Sequence, residues 1–491
     1  MKSKLILLPI LVLGICSGCK KDFLNTKPDG VILESQLREA FDVAPQIGAV
    51  ISNGQISGIY SYMYSYNTAL RASGRHDDFG QKSIDLSTDL TAEDMVQTVH
   101  HWFGFDYLAD DRQSTYSRVF TNWNFYYRII YSTNQILAPI DLNTNDQSLK
   151  AIAGQALALR GWCYLNLAQL FQVTYKGNET ALGVPLYTSA GNLESKGRGT
   201  LTDVYNQIEE DLTTAVTLLN GWSRTSKEQI NQAVARGILA RAYMNMERWA
   251  DAATQANQAR QGLALMTASQ YTNGFNDINN TEWMWGGDIN PSTSTIFASF
   301  FSHMDNTNPG YAGALGVYKA ISRKLFDQIP LTDIRREVFK APGSAVYPAL
   351  PTYAQLKFRD PGGWVGDYVY MRVAEMYLIE AEALANAGQE NQAKQVLFEL
   401  VSQRDPAYTL SANSGSALIN EIRIQRRIEL WGEGFNLNDF RRWKIAIDRT
   451  GSNHRVDATF IIPVGDKRFY YQIPQSELDA NINIPPSDQN P

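Results

Sequence analysis

Residues 232–259 read QAVARGILARAYMNMERWADAATQANQA, and this stretch decides the fold class. Its apolar residues recur at spacings of three and four, which predicts amphipathic helices. Large aromatics, Tyr243 and Trp249, stand near the turn between two helices, where a ring fills the wedge that two crossing helices leave open. Small residues, which let helices approach closely, stand at the expected crossing points: Ala235, Ala240 and Ala252. This arrangement is typical of tetratricopeptide-like helix pairs.

The same helical pattern recurs along the chain. It covers residues 116–137, 149–171, 201–219 and 368–401. The last of these again carries small residues at expected crossings: Ala374, Ala381 and Ala393. The spacing between the units is irregular, so the sequence predicts a mainly α, tetratricopeptide-like scaffold rather than a regular array.

The composition is that of a globular protein without a nucleic-acid footprint. The chain has 491 residues, 44% of them hydrophobic and 19% charged, which allows a substantial core. Its formal net charge of −6 lacks the basic excess of a nucleic-acid binder, so we expect no nucleic acid among its partners.

The N-terminus has the layout of a lipoprotein signal peptide. Two lysines in residues 1–4 precede the apolar run 5–15, and Ser17-Gly18-Cys19 resembles a bacterial lipobox, with Cys16 in place of the usual leucine. We predict a signal peptide at 1–18 and an acylated Cys19. Cleavage elsewhere, which would give a soluble periplasmic protein, is the alternative. No later apolar run approaches 18 residues, so the sequence predicts a lipid anchor rather than a membrane span.

The three cysteines support neither a zinc site nor a redox pair. Cys16 and Cys19 end an apolar run, and no second cysteine or histidine pair accompanies them. Once the signal peptide is removed, Cys163 is the one thiol left beside Cys19, and we expect it to be a small core residue.

Residues 265–365 interrupt the helical pattern. This insert is rich in Asn, Gly, Pro and aromatic residues, and residues 75–112 have a similar character. A long irregular segment within a helical scaffold is more often functional than idle. After Thr450 the chain is expected to be loop-like to its end.

Acidic residues along the C-terminal helices raise the alternative of a glycoside hydrolase. Arg372, Glu375 and Glu382 fall at spacings that share one helical face, and Glu429 and Glu433 form an i,i+4 pair after Arg426-Arg427. Each acid has an arginine within reach, which lowers a carboxyl pKa and is unsuitable for a general acid. We therefore interpret these residues as a structural ion-pair network.

Metal and nucleophile motifs are missing from the sequence. The five histidines form no His-Glu-x-x-His pattern, and His100-His101 are adjacent residues that would point apart on a regular element. Asp110-Asp111 is too sparse for a calcium loop. We expect no catalytic residue, no metal and no cofactor.

The chain strongly resembles the SusD/RagB family of outer-membrane lipoproteins. The resemblance rests on the order of several fragments. These are the lipobox with DFLNTKPDG (22–30), ALRGWCYLNLAQLF with GVPLYT (158–171 and 183–188), Arg198 with LTDVYNQIEEDL (201–212), YMRVAEMYLIEAEALANAG (370–388), RIQRRIELWGEGFNLNDFRRWK (423–444) and YYQIPQSELDAN with DQNP (470–481 and 488–491). Two positions depart from the family pattern: Gln425 stands where Glu is common, and Asn436 stands where Arg is common. Both lie in what resembles a structural helix pair, so the departures affect contacts that stabilise the fold rather than the function.

The resemblance implies a scaffold of about four tetratricopeptide-like units with a loop-rich remainder, in a single domain at 19–491. It also implies a non-catalytic lid on a TonB-dependent, SusC-like transporter. Such a lid lies on the exterior of a Gram-negative outer membrane and captures oligosaccharides for import. A protein-interaction scaffold without a small-molecule ligand remains an alternative.

Ligand binding is expected to use aromatic rings in the loops. All the candidates sit among Gly, Asn or Asp, whose polar groups can hydrogen-bond around a stacked sugar. They are Trp102, Phe103 and Tyr107 from the first loop-rich stretch and Trp283, Tyr311 and Trp364 from the insert. Trp285 is excluded because EWMWG (282–286) alternates like a strand and would bury it.

Overall fold

The computed structural model describes residues 45–191, 194–308 and 310–491, together with residues 41 and 43. The chain divides into two compact units, residues 1–48 and 49–491. The predicted signal peptide at 1–18 and Cys19 lie outside the described residues. The predicted single domain at 19–491 stays a prediction.

Helices dominate the described part of the chain, as the sequence predicts. In chain order they are α1 Pro45–Tyr62, α2 Gln81–Thr91, α3 Gly104–Leu108, α4 Ser117–Leu137, α5 Gln147–Phe171, α6 Leu201–Leu218, α7 Gln232–Asn245, α8 Trp249–Arg260, α9 Ala268–Tyr271, α10 Phe300–Met304, α11 Tyr311–Ala314, α12 Arg323–Phe326, α13 Val373–Asn386, α14 Glu390–Val401, α15 Ser416–Glu429, α16 Asn436–Arg442 and α17 Gln475–Ala480. Short 3₁₀ turns lie at Ile334–Arg336, Val456–Ala458, Lys467–Phe469 and Pro486–Asp488.

Six short strands form three antiparallel pairs in the described residues. They are β1 Met95–Gln97 with β3 Lys319–Ile321, β2 Trp283–Gly287 with β4 Tyr368–Arg372, and β5 Ile447–Asp448 with β6 Ile461–Ile462. The first two pairs join the loop-rich insert to the rest of the chain.

Eight long helices pack in sequence order and confirm the tetratricopeptide-like scaffold. Consecutive helices from α4 to α8 contact each other, α8 contacts α13 across the insert, and α13 packs against α14 and α15. The insert between α8 and α13 therefore leaves the row of helices continuous. Eight helices make four pairs, which agrees with the expected number of units.

Small residues let these helices approach closely, as expected. Each predicted crossing alanine is fully buried: Ala235, Ala240, Ala252, Ala374, Ala381 and Ala393. A Cβ on Gly154 of α5 would lie 2.7 Å from Leu219, and one on Gly161 would lie 2.9 Å from Leu212. A larger side chain at either glycine would push α5 and α6 apart.

Polar caps fix where several scaffold helices begin. The Asp146 side chain accepts hydrogen bonds from Ser148 N and Leu149 N at the start of α5. Thr200 and Asp203 form a reciprocal capping box at the start of α6. These caps satisfy backbone N–H groups that have no partner within the helix.

Two segments differ from the sequence prediction. Residues 368–372 were expected to be helical, but they form β4, because Trp283–Gly287 supplies a partner strand. Residues 81–91, in a stretch predicted to be loop-rich, form the buried helix α2. Tertiary partners decide both cases, since a short apolar run alone does not distinguish a strand from a helix.

A buried group of ion pairs ties the insert to the C-terminal helices. We call it the charge cluster, and it contains Asp333, Arg335, Lys357, Arg372, Arg404, Glu282, Glu429 and Glu433. Four cations face four anions, so their charges balance.

Gln425, one of the two departures from the family pattern, accepts a hydrogen bond from Arg335 at 2.5 Å. Asn436, the other, donates to Asp94 at 2.5 Å, so both positions make contacts in the fold.

Cys163 is a buried core residue, as expected, and burial raises the pKa of its thiol well above the ordinary value. Among the helices that the structure describes, none combines the length and apolar character needed to cross a membrane.

Candidate functional site

The six aromatic residues predicted to bind ligand divide into two groups. Trp102, Tyr311 and Trp364 are half-buried. Phe103, Tyr107 and Trp283 are buried, with exposed fractions of 2%, 0% and 2%. The excluded Trp285 is also buried, at 0%, in strand β2.

Specific contacts explain why Phe103 and Tyr107 lie inside. The Phe103 ring packs edge-on against His303 at 5.2 Å, and the Arg118 guanidinium lies 5.0 Å from its centroid. The Tyr107 hydroxyl donates to His454 Nδ1 at 2.7 Å, and His454 Nε2 donates to the Glu93 carbonyl at 3.0 Å. Neither ring has a free face for a sugar in this structure, so both are removed from the candidate surface.

Trp283 is buried for a different reason. It belongs to β2, where it pairs with Arg372 of β4. The local alternation that marks Trp285 as a strand residue extends to Trp283 as well. Its ring is therefore also removed from the candidate stacking surface.

Three rings surround His76 and form what we call the aromatic platform: Trp102, Phe297 and Tyr311. Trp102 stacks on the His76 imidazole with ring centroids 5.1 Å apart, and Phe297 stacks on it at 5.8 Å. Tyr311 meets His76 edge-on at 4.6 Å and Phe297 at 5.7 Å. Phe297 is 56% exposed, so the platform reaches solvent.

Polar groups border these rings. The Arg75 guanidinium lies 5.1 Å from the Trp102 ring, and the His101 ring lies 5.5 Å from Tyr311. Partial burial and the nearby Lys319 lower the pKa of His101, so its imidazole is neutral at pH 7. The border thus offers a cationic donor at Arg75 and a neutral imidazole that both donates and accepts.

Arg75 is held by an ion-pair chain that runs into the protein. Its Nε and Nη2 donate to the two Asp77 oxygens, each at 2.9 Å. Arg118 bonds Asp77 at 3.1 Å and Asp106 at 2.9 Å. Burial acts to raise the pKa of Asp77, but Arg118 and Arg75 outweigh it and hold that pKa below its ordinary value. A charged Asp77 therefore fixes the guanidinium over Trp102.

A second support lies directly beneath His76. His303 Nε2 donates to the His76 carbonyl at 2.9 Å, and Lys319 Nζ donates to the His303 carbonyl at 3.2 Å. Burial, with Lys319 nearby, lowers the pKa of His303 to about 3. Burial also lowers the pKa of Lys319 to about 7. The His303 ring is therefore neutral at pH 7 and positions the backbone of the platform's central residue.

Trp364 lies next to the platform rather than in it. A Cβ on Gly310 would lie 2.7 Å from the Trp364 ring, so the ring packs on the backbone just before Tyr311. The Trp364 backbone is in the left-handed region (φ 59°), and its N–H donates to Asp360 at 2.9 Å. This strained turn places the ring against the start of α11.

Sequence reasoning missed three members of this site: Phe297, His76 and Arg75. Phe297 follows a Ser/Thr-rich loop at 292–295 and has no Gly, Asn or Asp beside it, so the rule that selected the other rings passes it over. His76 and Arg75 carry no local signal either, because their roles depend on tertiary contacts: His76 meets Tyr311, more than 200 positions away, and Arg75 lies over Trp102.

The acids considered for glycoside hydrolysis are held in ion pairs. Glu375 pairs with Arg241 at 2.7 Å and Glu382 with Arg442 at 2.6 Å. Burial acts to raise the pKa of Glu433, but Arg372 and Lys357 lower it to about 2. Arg404, Arg372 and Arg335 likewise hold the pKa of Glu429 well below its ordinary value.

The position of Arg372 corrects one detail of the sequence analysis. Arg372 was expected to share a helical face with Glu375 and Glu382. It instead ends β4, precedes α13, and pairs with Glu282, Glu429 and Glu433. The described residues contain no group of three or more His, Cys, Asp or Glu side chains that could hold a metal ion.

The fold and the platform define a class of protein, a tetratricopeptide-like scaffold with an aromatic surface carried on its loops. A family model described as SusD-like, starch-binding associating with outer membrane, matches residues 59–244, and the SusD family model matches residues 353–491. The chain belongs to the SusD/RagB family. A search of curated proteins finds no match.

Solved structures share this fold over most of the chain. A SusD-like carbohydrate-binding protein from Bacteroides vulgatus is 28% identical to this chain and superposes with a TM-score of 0.78. The match covers 90% of this chain and 98% of the Bacteroides vulgatus protein. A SusD superfamily protein from Bacteroides thetaiotaomicron is 25% identical, with a TM-score of 0.76 over 90% and 99%. A laminarin-binding SusD-like protein, 18% identical, has a TM-score of 0.67 over 90% and 99%, which shows a common fold alone.

Proposed function

We propose that this protein is a cell-surface lipoprotein that binds oligosaccharides on the aromatic platform and delivers them to a TonB-dependent, SusC-like transporter. The observation that carries the proposal is the cluster of Trp102, Phe297 and Tyr311 around His76, which reaches solvent through the 56% exposed Phe297 ring. Sugar rings have apolar faces that pack on aromatic rings, and their hydroxyls need donors and acceptors at the edge. Arg75 and His101 provide such groups.

Related proteins support carbohydrate as the ligand class. The matching family model is described as starch-binding, and the Bacteroides vulgatus protein at 28% identity is described as carbohydrate-binding. Starch fragments are therefore the first ligands to test. Laminarin fragments are the second, although the protein described as binding laminarin shares only the fold with this chain.

Binding without catalysis is part of the proposal. A retaining or inverting glycosidase needs one protonated carboxyl group near neutral pH. Arginine and lysine partners keep Glu429 and Glu433 ionised, and both side chains lie in the buried charge cluster. Neither acid can therefore donate a proton to a glycosidic oxygen.

The membrane anchor and the transporter rest on the sequence and the family. We propose that Cys19 carries the lipid and that the protein faces the exterior of the outer membrane. The matching family model, described as associating with the outer membrane, agrees with this location. Cys19→Ala should move the protein to the soluble fraction, whereas retention in the membrane with acylation would contradict the anchor.

Detergent extracts from cells that express a SusC-like barrel should yield both proteins together, and recovery of the lipoprotein alone would contradict the partnership.

The binding experiment is calorimetric titration with maltoheptaose and laminarihexaose. Trp102→Ala should weaken binding by about 1–3 kcal/mol, as is found for aromatic anchors. The control is Trp222→Ala, which removes a half-buried tryptophan outside the platform. Circular dichroism checks that each variant is folded.

The alternatives give different results in the same experiment. Release of shorter sugars would favour the glycoside hydrolase, and an absence of both binding and products would favour the interaction scaffold. Unchanged affinity in folded Trp102→Ala and Tyr311→Ala variants would exclude the platform as the binding surface.

A further inference from the structure

A concavity of about 260 Å³ lies where the segment after α5 meets α16 and the loop beyond β6. Its lining residues fall within 173–178, 440–445 and 464–470, and none of them belongs to the aromatic platform. At about 30 Å³ per water molecule, the space corresponds to roughly eight or nine waters, which suits one small organic molecule. We call it the arginine cleft.

Apolar side chains provide much of the wall of this cleft. Phe440 and Phe469 are buried in it, whereas Ile445 and Val464 leave 36% and 54% of their surfaces exposed. Covering exposed apolar surface is favourable, because it removes that surface from water. The wall therefore suits a ligand with an apolar body.

A buried cation lines the same cleft. Arg441 is 7% exposed, and no carboxylate of the described residues forms an ion pair with it. Its Nη2 donates to the Gln172 carbonyl at the end of α5. Its Nε and Nη1 make no hydrogen bond to a described residue, yet these two nitrogens are not sealed from solvent. Burial lowers the pKa of Arg441 to about 10, so the guanidinium is charged at pH 7.

Arg449 shows how the protein satisfies a buried guanidinium that has no ion pair among the described residues. It donates five hydrogen bonds of 2.6–2.9 Å to backbone carbonyls, at residues 90–92 and at Tyr107. Arg441 is also buried but donates one. A buried charge without partners is costly, so the free donors of Arg441 call for an anion.

The other charged groups of the lining leave the cleft positive. Lys444 lies 3.7 Å from Glu247, and its side chain is 53% exposed, so this pair contributes little. Asp466 is the one acid of the lining, and Arg468 neutralises it through hydrogen bonds of 2.9 and 2.8 Å. The Tyr470 hydroxyl has no hydrogen-bond partner among the described residues and adds a neutral donor.

We propose that the arginine cleft binds a small carboxylic acid with an apolar body. The carboxylate accepts hydrogen bonds from Arg441, and the apolar part packs against Ile445 and Val464. One unpaired guanidinium matches one negative charge, and charge-assisted bonds to a carboxylate are about twice as strong as neutral ones. Aliphatic and aromatic acids share this chemistry, so the test includes both. The inference does not depend on glycan binding, because the cleft and the platform share no residue.

The test is a saturation-transfer NMR titration of the protein with benzoate and with hexanoate. At least one acid should bind saturably, and the one that binds shows whether the ligand is aromatic or aliphatic. Benzyl alcohol, which lacks the charge, and glucuronate, which lacks the apolar body, should each bind at least about tenfold more weakly. An absence of binding by both acids would overturn the proposal, as would equally strong binding of benzyl alcohol or glucuronate.

Two variants locate the bound acid. Arg441→Gln should weaken its binding about tenfold or more, the range for a hydrogen bond to a charged group. Val464→Asp places a negative charge at the exposed rim and removes apolar contact, so it should weaken binding about fivefold. Circular dichroism checks the fold of both variants. Because Arg441 also bonds the end of α5, Val464→Asp decides the question if Arg441→Gln fails to fold.

Ile461→Asp is the matched control, because Ile461 is 52% exposed, against 54% for Val464, and does not line the cleft. This variant and Trp102→Ala should bind the acid like the unmodified protein. Unchanged affinity in folded Arg441→Gln or in Val464→Asp would overturn the cleft as the site, and so would equal losses in Val464→Asp and Ile461→Asp. Loss of binding in Trp102→Ala would place the acid at the platform and would also overturn the proposal.

Discussion

The charge cluster and the aromatic platform use similar residues in opposite environments. In the cluster, the Arg372 guanidinium lies 5.3 Å from the Phe275 ring and is completely buried. On the platform, the Arg75 guanidinium lies 5.1 Å from the Trp102 ring and is about one-third exposed. The same pairing of arginine and ring thus occurs once inside the protein and once at its surface.

The difference shows that access and spare bonding capacity separate a structural site from a binding site. The Arg372 guanidinium pairs with three carboxylates, which occupy its N–H donors. Among the described residues, the Arg75 side chain forms hydrogen bonds only with Asp77, and the Phe297 ring of the platform is 56% exposed. The cluster can therefore stabilise the fold, whereas the platform can still gain contacts.

Arg372→Met should produce the largest effect on stability. It removes the cation that Glu282, Glu429 and Glu433 share, so buried carboxylates are left facing one another. Breaking a buried ion pair in this way costs about 3–5 kcal/mol. Urea denaturation at pH 7 measures the loss in the free energy of unfolding.

Arg248→Ala is the control for that measurement. Arg248 also bonds two acids, Glu209 and Asp251, but its side chain is 37% exposed. Exposed pairs contribute about 1 kcal/mol or less. Equal losses in the two variants would contradict the distinction between buried and exposed ion pairs.

His303→Gln should reveal a smaller, pH-dependent effect beneath the platform. Folding lowers the pKa of His303 from 6.5 to about 3. Between these two pH values the imidazole is protonated in the unfolded chain but neutral in the folded protein, so a falling pH favours unfolding. His303 thus makes stability fall as the pH drops from about 6.5 toward 3. Between pH 6.5 and 5 the stability of the unmodified protein should drop relative to that of His303→Gln by about 2 kcal/mol.

Comparing the two proteins cancels the contribution of titrating groups that do not interact with His303. Burial raises the pKa of Asp89 to about 7, so the free energy of unfolding gains a contribution from Asp89 as the pH falls. This contribution is the same in both proteins. A stability difference that stays constant between pH 6.5 and 5 would show that His303 does not titrate as its buried position requires.

The scaffold was largely predictable from the sequence, because it depends on local periodicity. Spacings of three and four with alanine at the crossings correctly predict α4 to α8. Strand β4 was not predictable, because its conformation depends on pairing with residues 283–287, some 80 positions earlier.

The candidate site was less predictable, because composition does not reveal which face of a ring is covered. Trp102 and Phe103 are neighbours in one loop, yet Trp102 is half-buried on the platform and Phe103 is packed inside against His303. A left-handed backbone at Phe103 (φ 65°) turns the chain between them. No pattern of residue types distinguishes the two.

Phe297→Ala should weaken glycan binding by about 1 kcal/mol, at the lower end of the range for aromatic anchors. Phe297 is the most exposed ring of the platform, so its removal should leave the free energy of unfolding almost unchanged. Calorimetry with maltoheptaose and urea denaturation measure the two quantities. Phe103→Ala is the matched variant, and it should lower stability by about 3–5 kcal/mol because its ring is buried. The reverse outcome would show that the two rings have been assigned to the wrong environments.

Arg75→Lys should give the smallest effect, below about 1 kcal/mol in both stability and binding. Lysine keeps the positive charge near Asp77 but cannot form the two parallel hydrogen bonds that Arg75 makes, and it lacks the planar group over Trp102. The pair is partly exposed, so solvent compensates for most of the loss. Arg75→Gln adds the loss of charge and should weaken binding further. If Arg75→Lys instead abolished glycan binding, a fixed guanidinium would be the main contact of the platform, and the rings would serve chiefly to hold it in place.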